Sequence, residues 1–149
     1  MTYGNLKNLV RALLIGDNTL TKNEAEILVL VEYAFDKTAN EADALKLFTE
    51  DVAANRILRS GPGRQFIRKP ILPTNDTDEL DIDSELCFVV ARYVCSFVSR
   101  EKGAMHVQEA GNLIRAYNQK VATYFENLEQ YGDLNEFEEY DQFGKRIYP

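Results

Sequence analysis

Residues 83–128 read DSELCFVVARYVCSFVSREKGAMHVQEAGNLIRAYNQKVATYFENL. Apolar side chains in this stretch recur every three to four positions, the period of a helix with one buried face. Asp81, Asp83 and Ser84 are N-cap candidates at its start, where acidic groups also suit the positive end of the helix dipole. Leu86, Val89, Val90, Tyr93, Val94, Phe97 and Val98 form a first stripe. Gly103 interrupts the pattern. A second stripe follows over about 104–128, made of Val107, Ala110, Ile114, Tyr117, Val121, Tyr124, Phe125 and Leu128. Two long amphipathic helices joined by a short break predict an antiparallel pair at the centre of a helical bundle.

The chain before this pair is also helical in pattern. Leu6, Leu9, Val10, Leu13 and Leu14 share one face over 5–15, and Gly16-Asp17-Asn18 ends that helix with turn residues. Thr21-Lys22-Asn23-Glu24 has the form of a capping box for a helix over roughly 22–37. Ala25, Leu28, Val31, Ala34 and Phe35 face inward on it. A shorter helix is expected over 40–50, with Ala42, Leu45 and Phe48 inward.

Residues 55–83, NRILRSGPGRQFIRKPILPTNDTDELDID, break the helical pattern. Gly61-Pro62-Gly63 is a turn, and Pro70 and Pro73 forbid a continuous helix. Gln65–Leu72 is expected to be extended or an edge strand, where proline is tolerated. The expected fold is therefore mostly α: a small helical bundle with a central antiparallel helix pair, an extended arm or β-hairpin at about 55–83, and an extended C-terminal tail. Residues 1–129 are expected to form a helical domain from which the arm at about 55–83 projects, and 130–149 an extended C-terminal tail that docks on a partner.

Composition agrees with a globular protein. The chain has 149 residues, 45% apolar and 28% charged, enough to bury a core. The net charge of −7 opposes nucleic-acid or anionic-membrane binding by the chain as a whole, unless basic residues cluster. Residues 1–18 lack the apolar core and small-residue cleavage site of a signal peptide. The apolar runs Leu86–Ala91 and Ile27–Val31 fall far short of the ~18 residues of a membrane span. Cys87 and Cys95, eight positions apart on one helix, lie about 12 Å apart, too far for a disulfide, and read as buried free thiols.

No residue pattern points to catalysis. His106 is the only histidine, with no second histidine or cysteine at metal-ligand spacing, and reads as a surface or core residue. Phosphate-binding glycine loops and a Gly-x-Ser-x-Gly elbow are absent from the sequence. The acidic run from Asp76 to Glu85 fails as a calcium loop. Counting from Asp76, position six is Asp81 instead of glycine, and position twelve is Cys87 instead of glutamate. No catalytic residue, cofactor or metal ligand is expected, and the chain is read as a non-enzyme.

Charge is segregated along the arm. Arg56, Arg59, Arg64, Arg68 and Lys69 occur with no acid between them, and Asp76, Asp78, Glu79, Asp81, Asp83 and Glu85 follow closely. Three readings stand side by side. The arm is a solvated loop, its basic part touches nucleic acid, or its basic part meets the acidic part of the next subunit in a head-to-tail contact. The partner-binding candidates on the arm are Arg56, Arg59, Arg64, Arg68, Lys69, Asp78, Glu79 and Asp81. After Gly132 the chain reads DLNEFEEYDQFGKRIYP. Its aromatics Phe137, Tyr140, Phe143 and Tyr148 are candidate anchors for a partner, with acids setting orientation. The other reading of this tail is disorder.

The order of these parts resembles head–tail connector proteins of tailed bacteriophages, also called adaptor or head-completion proteins. The resemblance lies in a short helical body, an arm reading Ile67-Arg68-Lys69-Pro70 and then Pro73, the run Asp78-Glu79-Leu80-Asp81-Ile82-Asp83, and the helices over Leu86–Arg100 and Ala104–Leu128. It spans roughly residues 20–149 and concerns arrangement, with no single diagnostic motif. It implies a structural virion protein at the head–tail interface, assembled in the host cytoplasm. It implies a homo-oligomeric ring, commonly a dodecamer, with the portal protein and a tail or nozzle protein as partners, and no membrane. The basic arm would then face packaged DNA or the acidic run of the adjacent subunit, and the aromatic tail would dock on the portal. The alternative is a small cellular helical adaptor or regulatory module that binds a protein partner through its C-terminal tail.

Overall fold

A computed structural model describes residues 1–20, 22–61 and 65–136, with side chains described as far as Glu126. Four α-helices are present among these residues: α1 (Tyr3–Leu13), α2 (Glu24–Glu41), α3 (Leu86–Val98) and α4 (Gly103–Glu136). Three short strands lie between α2 and α3: β1 (Phe48–Thr49), β2 (Ile57–Ser60) and β3 (Phe66–Arg68). The chain divides into two compact units, Met1–Tyr117 and Asn118–Pro149. Helix α4 passes from the first into the second. Within the second unit, Tyr124 and Phe125 meet edge to face at 5.7 Å.

The core of the first unit is built on α3. Nine of its thirteen residues are buried, including Leu86, Val89, Val90, Val94 and Val98. Such continuous burial needs neighbours on more than one side, and α1 and α2 both pack against α3. Helix α1 contributes the fully buried Leu6, and α2 contributes Val31, Ala34 and Phe35. Each fully buried side chain of this size stabilises the fold by roughly 1.5–3 kcal/mol relative to exposure. Cys87 and Cys95 are buried free thiols, as their spacing requires. Burial pushes the Cys95 thiol up to about 11 and raises that of Cys87, so both are poor nucleophiles.

Helix starts follow local chemistry, with one change of register. Thr2 caps α1 by accepting from the Asn5 amide. The capping box of α2 is Asn23–Glu26, not Thr21–Glu24: Asn23 accepts from the Glu26 amide at 2.9 Å, and Glu26 accepts from the Asn23 amide at 3.0 Å. Thr21 itself lies outside the described residues. The helix expected over 40–50 does not form. Helix α2 continues to Glu41, and a single 3-10 turn, Leu45–Leu47, leads directly into β1. The Asp83 carboxylate holds that turn by accepting from the Leu45 amide at 3.1 Å and the Lys46 amide at 2.8 Å. Asp83 therefore does not cap α3. The Tyr117 hydroxyl also donates to it.

The expected hairpin exists as β2–β3, within a sheet ordered β1-β3-β2 and antiparallel throughout. Phe48 pairs with Ile67, and Arg59 also pairs with Ile67, with a bulge between Ile57 and Arg59. Ile67 is fully buried beneath this sheet. The return segment is also fixed to the body, because Pro70, Pro73, Leu80 and Ile82 are buried. Residues 65–83 thus lie along the helical body rather than extending from it. Leu80 and Ile82 are buried on either side of Asp81, whose carboxylate is held by Arg68.

Helix α4 departs from expectation at both ends. Its inward stripe in the first unit is His106, Ala110, Ile114 and Tyr117, while Val107 is 45% exposed. Tyr124, expected inward, is 50% exposed. The helix also continues through Gly132 to Glu136, so the first residues assigned to the tail are helical. Phe137, Tyr140, Phe143 and Tyr148 lie outside the described residues.

Candidate interaction surfaces

The charges of the arm are engaged within the chain. The Arg68 guanidinium holds the Asp81 carboxylate through two hydrogen bonds, at 2.5 and 2.9 Å, and the Ile71 amide donates to the same carboxylate at 2.7 Å. Both side chains are mostly shielded, at 24% and 17% exposure. Burial alone would raise the Asp81 pKa. The Arg68 and Ile71 hydrogen bonds, with the nearby Arg68 and Lys46 charges, outweigh it and leave the group below the usual carboxylate range. Planar two-point contact of this kind is the strong form of an arginine–carboxylate pair.

The other basic residues are used similarly. Lys69 pairs with Asp36 of α2 at 2.7 Å. Arg56 donates to the Lys69 carbonyl at 2.7 Å. Arg59 reaches the carbonyls of Ala39 and Ala42 at the end of α2, with Asp43 3.9 Å away. A cation there answers the negative end of the helix dipole. Arg64 lies outside the described residues. On the acidic side, Asp78 accepts from the Thr74 amide and hydroxyl, both at 2.8 Å, and from the Asn75 amide at 3.1 Å. These bonds, the Thr74 amide first, hold its pKa down. Glu79 lies 3.3 Å from the Met1 nitrogen. The structure brings together Arg68 with Asp81, and Arg56 with Lys69. Its local work for Asp78 and Glu79 is separate.

Three polar clusters escaped the sequence reading. His106 is fully buried: Arg92 lies 3.1 Å from its Nδ1, and Asp17 lies 3.5 Å from its Nε2. An arginine only donates, so Nδ1 is the acceptor, while Nε2 and the Asp17 oxygen facing it make no hydrogen bond. Asp17 is 2% exposed and accepts from the Ser99 hydroxyl at 3.1 Å. The second cluster is the Asp83 carboxylate with its amide and Tyr117 donors. Burial raises the Asp83 pKa against the lowering effect of the Lys46 and Leu45 amides. In the third, the Tyr93 hydroxyl donates to Glu41. Partners in these clusters are 14 to 89 positions apart, so no local spacing signals them. His106 and Asp17 are shut away from solvent, whereas Glu41 of the third cluster is exposed. Among the described residues, no group of three or more His, Cys, Asp or Glu is arranged to hold a metal ion. None of the helices, as far as described, is long and apolar enough to cross a membrane.

The surface carries both polar clefts, such as that of Glu32, Asp36, Lys37 and Asn40 on α2, and apolar ones. A groove of about 200 Å³ lies between α1 and α2, lined by Leu6, Val10, Leu14, Ile27 and Val31, with Val94 and Val98 of α3 also contributing. Lys7, Arg11, Lys22 and Glu24 stand around it. On the outer side of α2, Val29 and Tyr33 are 57% and 68% exposed. Tyr33 meets Phe97 edge to face at 6.2 Å. Met105, Val107 and Leu113 are exposed on α4. No family model, curated protein or solved structure matches the chain.

Proposed function

We propose that this chain is a structural subunit that assembles with copies of itself, as the ring-forming connector between the portal and the tail of a tailed phage. In this reading it completes the head after DNA packaging and performs no catalysis. The observation that carries the proposal is the contrast between its polar and apolar groups. The described cations of the arm are engaged within the fold, whereas large apolar side chains such as Val29, Tyr33 and Leu113 remain at the surface. Clustered exposed apolar residues mark protein contact surfaces more often than reaction sites.

The arm has a narrower role than its charge pattern alone suggests. Its described cations hold the chain's own carboxylates and carbonyls, so contact with neighbours falls to the apolar surfaces of the helices and to the aromatic tail. Contact of the arm with packaged DNA then draws on whatever Arg64 and the edges of the hairpin present.

The test is the mass of the full chain in solution over a range of concentrations, alone and mixed with the portal protein encoded in the same genome, with electron microscopy of the products. Rings formed by the chain alone or on the portal are expected. A chain that stays monomeric and leaves the portal unchanged overturns the proposal, and a single copy bound to a cellular partner through residues 130–149 would replace it with the adaptor reading.

A further inference from the structure

The groove between α1 and α2 has a composition that specifies its occupant. Its walls are aliphatic: Leu6 and Val10 of α1 with Leu14 just after it, and Ile27 and Val31 of α2. Its volume of about 200 Å³ is smaller than the ~300 Å³ at which small-molecule sites begin, and suits an anchoring side chain. Its rim is cationic. Lys7 is already shared between Glu24 at 2.9 Å and Asp76 at 2.8 Å. Arg11 bonds only the neutral Asn8, at 2.6 Å, and no described carboxylate lies within ion-pair distance of Arg11 or Lys22. Two uncompensated cations beside an apolar slot, on a chain of net charge −7, select an acidic segment with apolar anchors.

The same chain contains such a segment. Residues 133–143 read DLNEFEEYDQF, with Asp133, Glu136, Glu138, Glu139 and Asp141 and no cation. Phe137, Tyr140 and Phe143 recur every three positions, the spacing that aligns side chains on one helical face. Anchors at that spacing fit the mode in which an amphipathic segment lays its apolar side in a groove.

We infer that the α1–α2 groove receives the acidic aromatic segment 133–143 of a second copy of this chain. One aromatic fills the slot between Val10 and Ile27, and the flanking carboxylates meet Arg11 and Lys22. A groove and its complement on different parts of one chain make a heterologous contact, which closes into a ring when the rotation permits. The inference rests on the self-assembly proposed above and gives that assembly a site.

The test uses the full-length chain in an equal mixture of ¹⁴N- and ¹⁵N-labelled protein, coupled with a zero-length carbodiimide that joins lysine to carboxylate. Peptides linking Lys22 to Glu138, Glu139 or Asp141 are expected, half of them carrying both isotopes. Arg11→Glu should lower their yield roughly tenfold, a loss of about 1.4 kcal/mol. Arg11 is exposed, so this variant keeps the fold. Adding Glu139→Lys to Arg11→Glu should restore the links from Lys22 to Glu138, which a merely misfolded variant would not do. Links carrying only one isotope place the segment in its own chain's groove and overturn the inference, as does an absence of links from Lys22 to 133–143. If ring particles persist in either case, the site is wrong while self-assembly stands. If the mixture is monomeric throughout and the chain also leaves the portal unchanged, both readings fall together.

Discussion

Replacing Arg68 or Asp81 with alanine, singly and together, measures how firmly the arm is fastened to the body. The two side chains are 24% and 17% exposed, between a surface ion pair and a buried one. Exposed pairs contribute about 0–1 kcal/mol, and removing one partner of a fully buried pair costs about 3–5 kcal/mol. Arg68→Ala should therefore destabilise the fold by about 2 kcal/mol. Asp81→Ala should cost about 3 kcal/mol, because the Ile71 amide loses its acceptor as well. The double variant should fall short of the sum by about 1–2 kcal/mol, the coupling expected of residues in direct contact. Urea unfolding followed by circular dichroism gives these differences, provided the transition is two-state. The same cycle is then repeated at several protein concentrations. The pair closes within one chain, so the coupling should not change with concentration. A coupling below about 0.3 kcal/mol, or one that appears only at high concentration, refutes the internal clasp and returns these charges to a contact between subunits.

Three further outcomes are expected. In the acid limb of the stability curve, Asp81 has a lowered pKa in the fold, so its contribution is present above the unfolded carboxylate value and is lost as pH falls through the folded one. Asp83 is raised, so its contribution is present at low pH and is lost as pH rises through its folded value. Urea titrations from pH 3 to 7 should therefore show a flatter acid limb for Asp81→Asn and a steeper one for Asp83→Asn, and a shared slope would contradict both assignments. His106→Ala should destabilise by about 3 kcal/mol through a cavity and the loss of the acceptor for Arg92, and a thermal midpoint within a degree of the parent would count against a structural role. Alkylation of Cys87 and Cys95 at pH 8 should be roughly a hundredfold slower than in urea, and rapid native labelling would show that these thiols are not buried.

The helices were readable because their cause is local. Leu6, Val31, Val94 and Ile114 each recur with apolar neighbours at helical spacing, and that spacing is what burial against a neighbouring helix demands. The register of the α2 cap was not readable: Thr21–Glu24 and Asn23–Glu26 satisfy the same three-residue spacing, and only folded geometry chooses between them. The helix expected over 40–50 failed for a non-local reason. Asp83, far along the chain, takes the Leu45 and Lys46 amides and fixes a 3-10 turn there. Charge segregation on the arm was visible, but its partner was not. Opposite charges separated by a turn-rich segment meet as well within a chain as between chains, and the thirteen positions from Arg68 to Asp81 return one to the other. The inward histidine of α4 was obscured by its neighbour Val107, which any hydrophobic stripe would prefer. The burial of His106 follows from Asp17 and Arg92, neither of which lies near it in sequence.

The proposed role as a head–tail connector is tested most directly by quantitative mass spectrometry of intact, purified virions produced from the genome that encodes this chain. The account predicts that the chain is present in mature particles in copy number comparable to the portal protein, and that it remains with the portal when heads and tails are separated. A chain that is expressed during infection but absent from purified virions would contradict it.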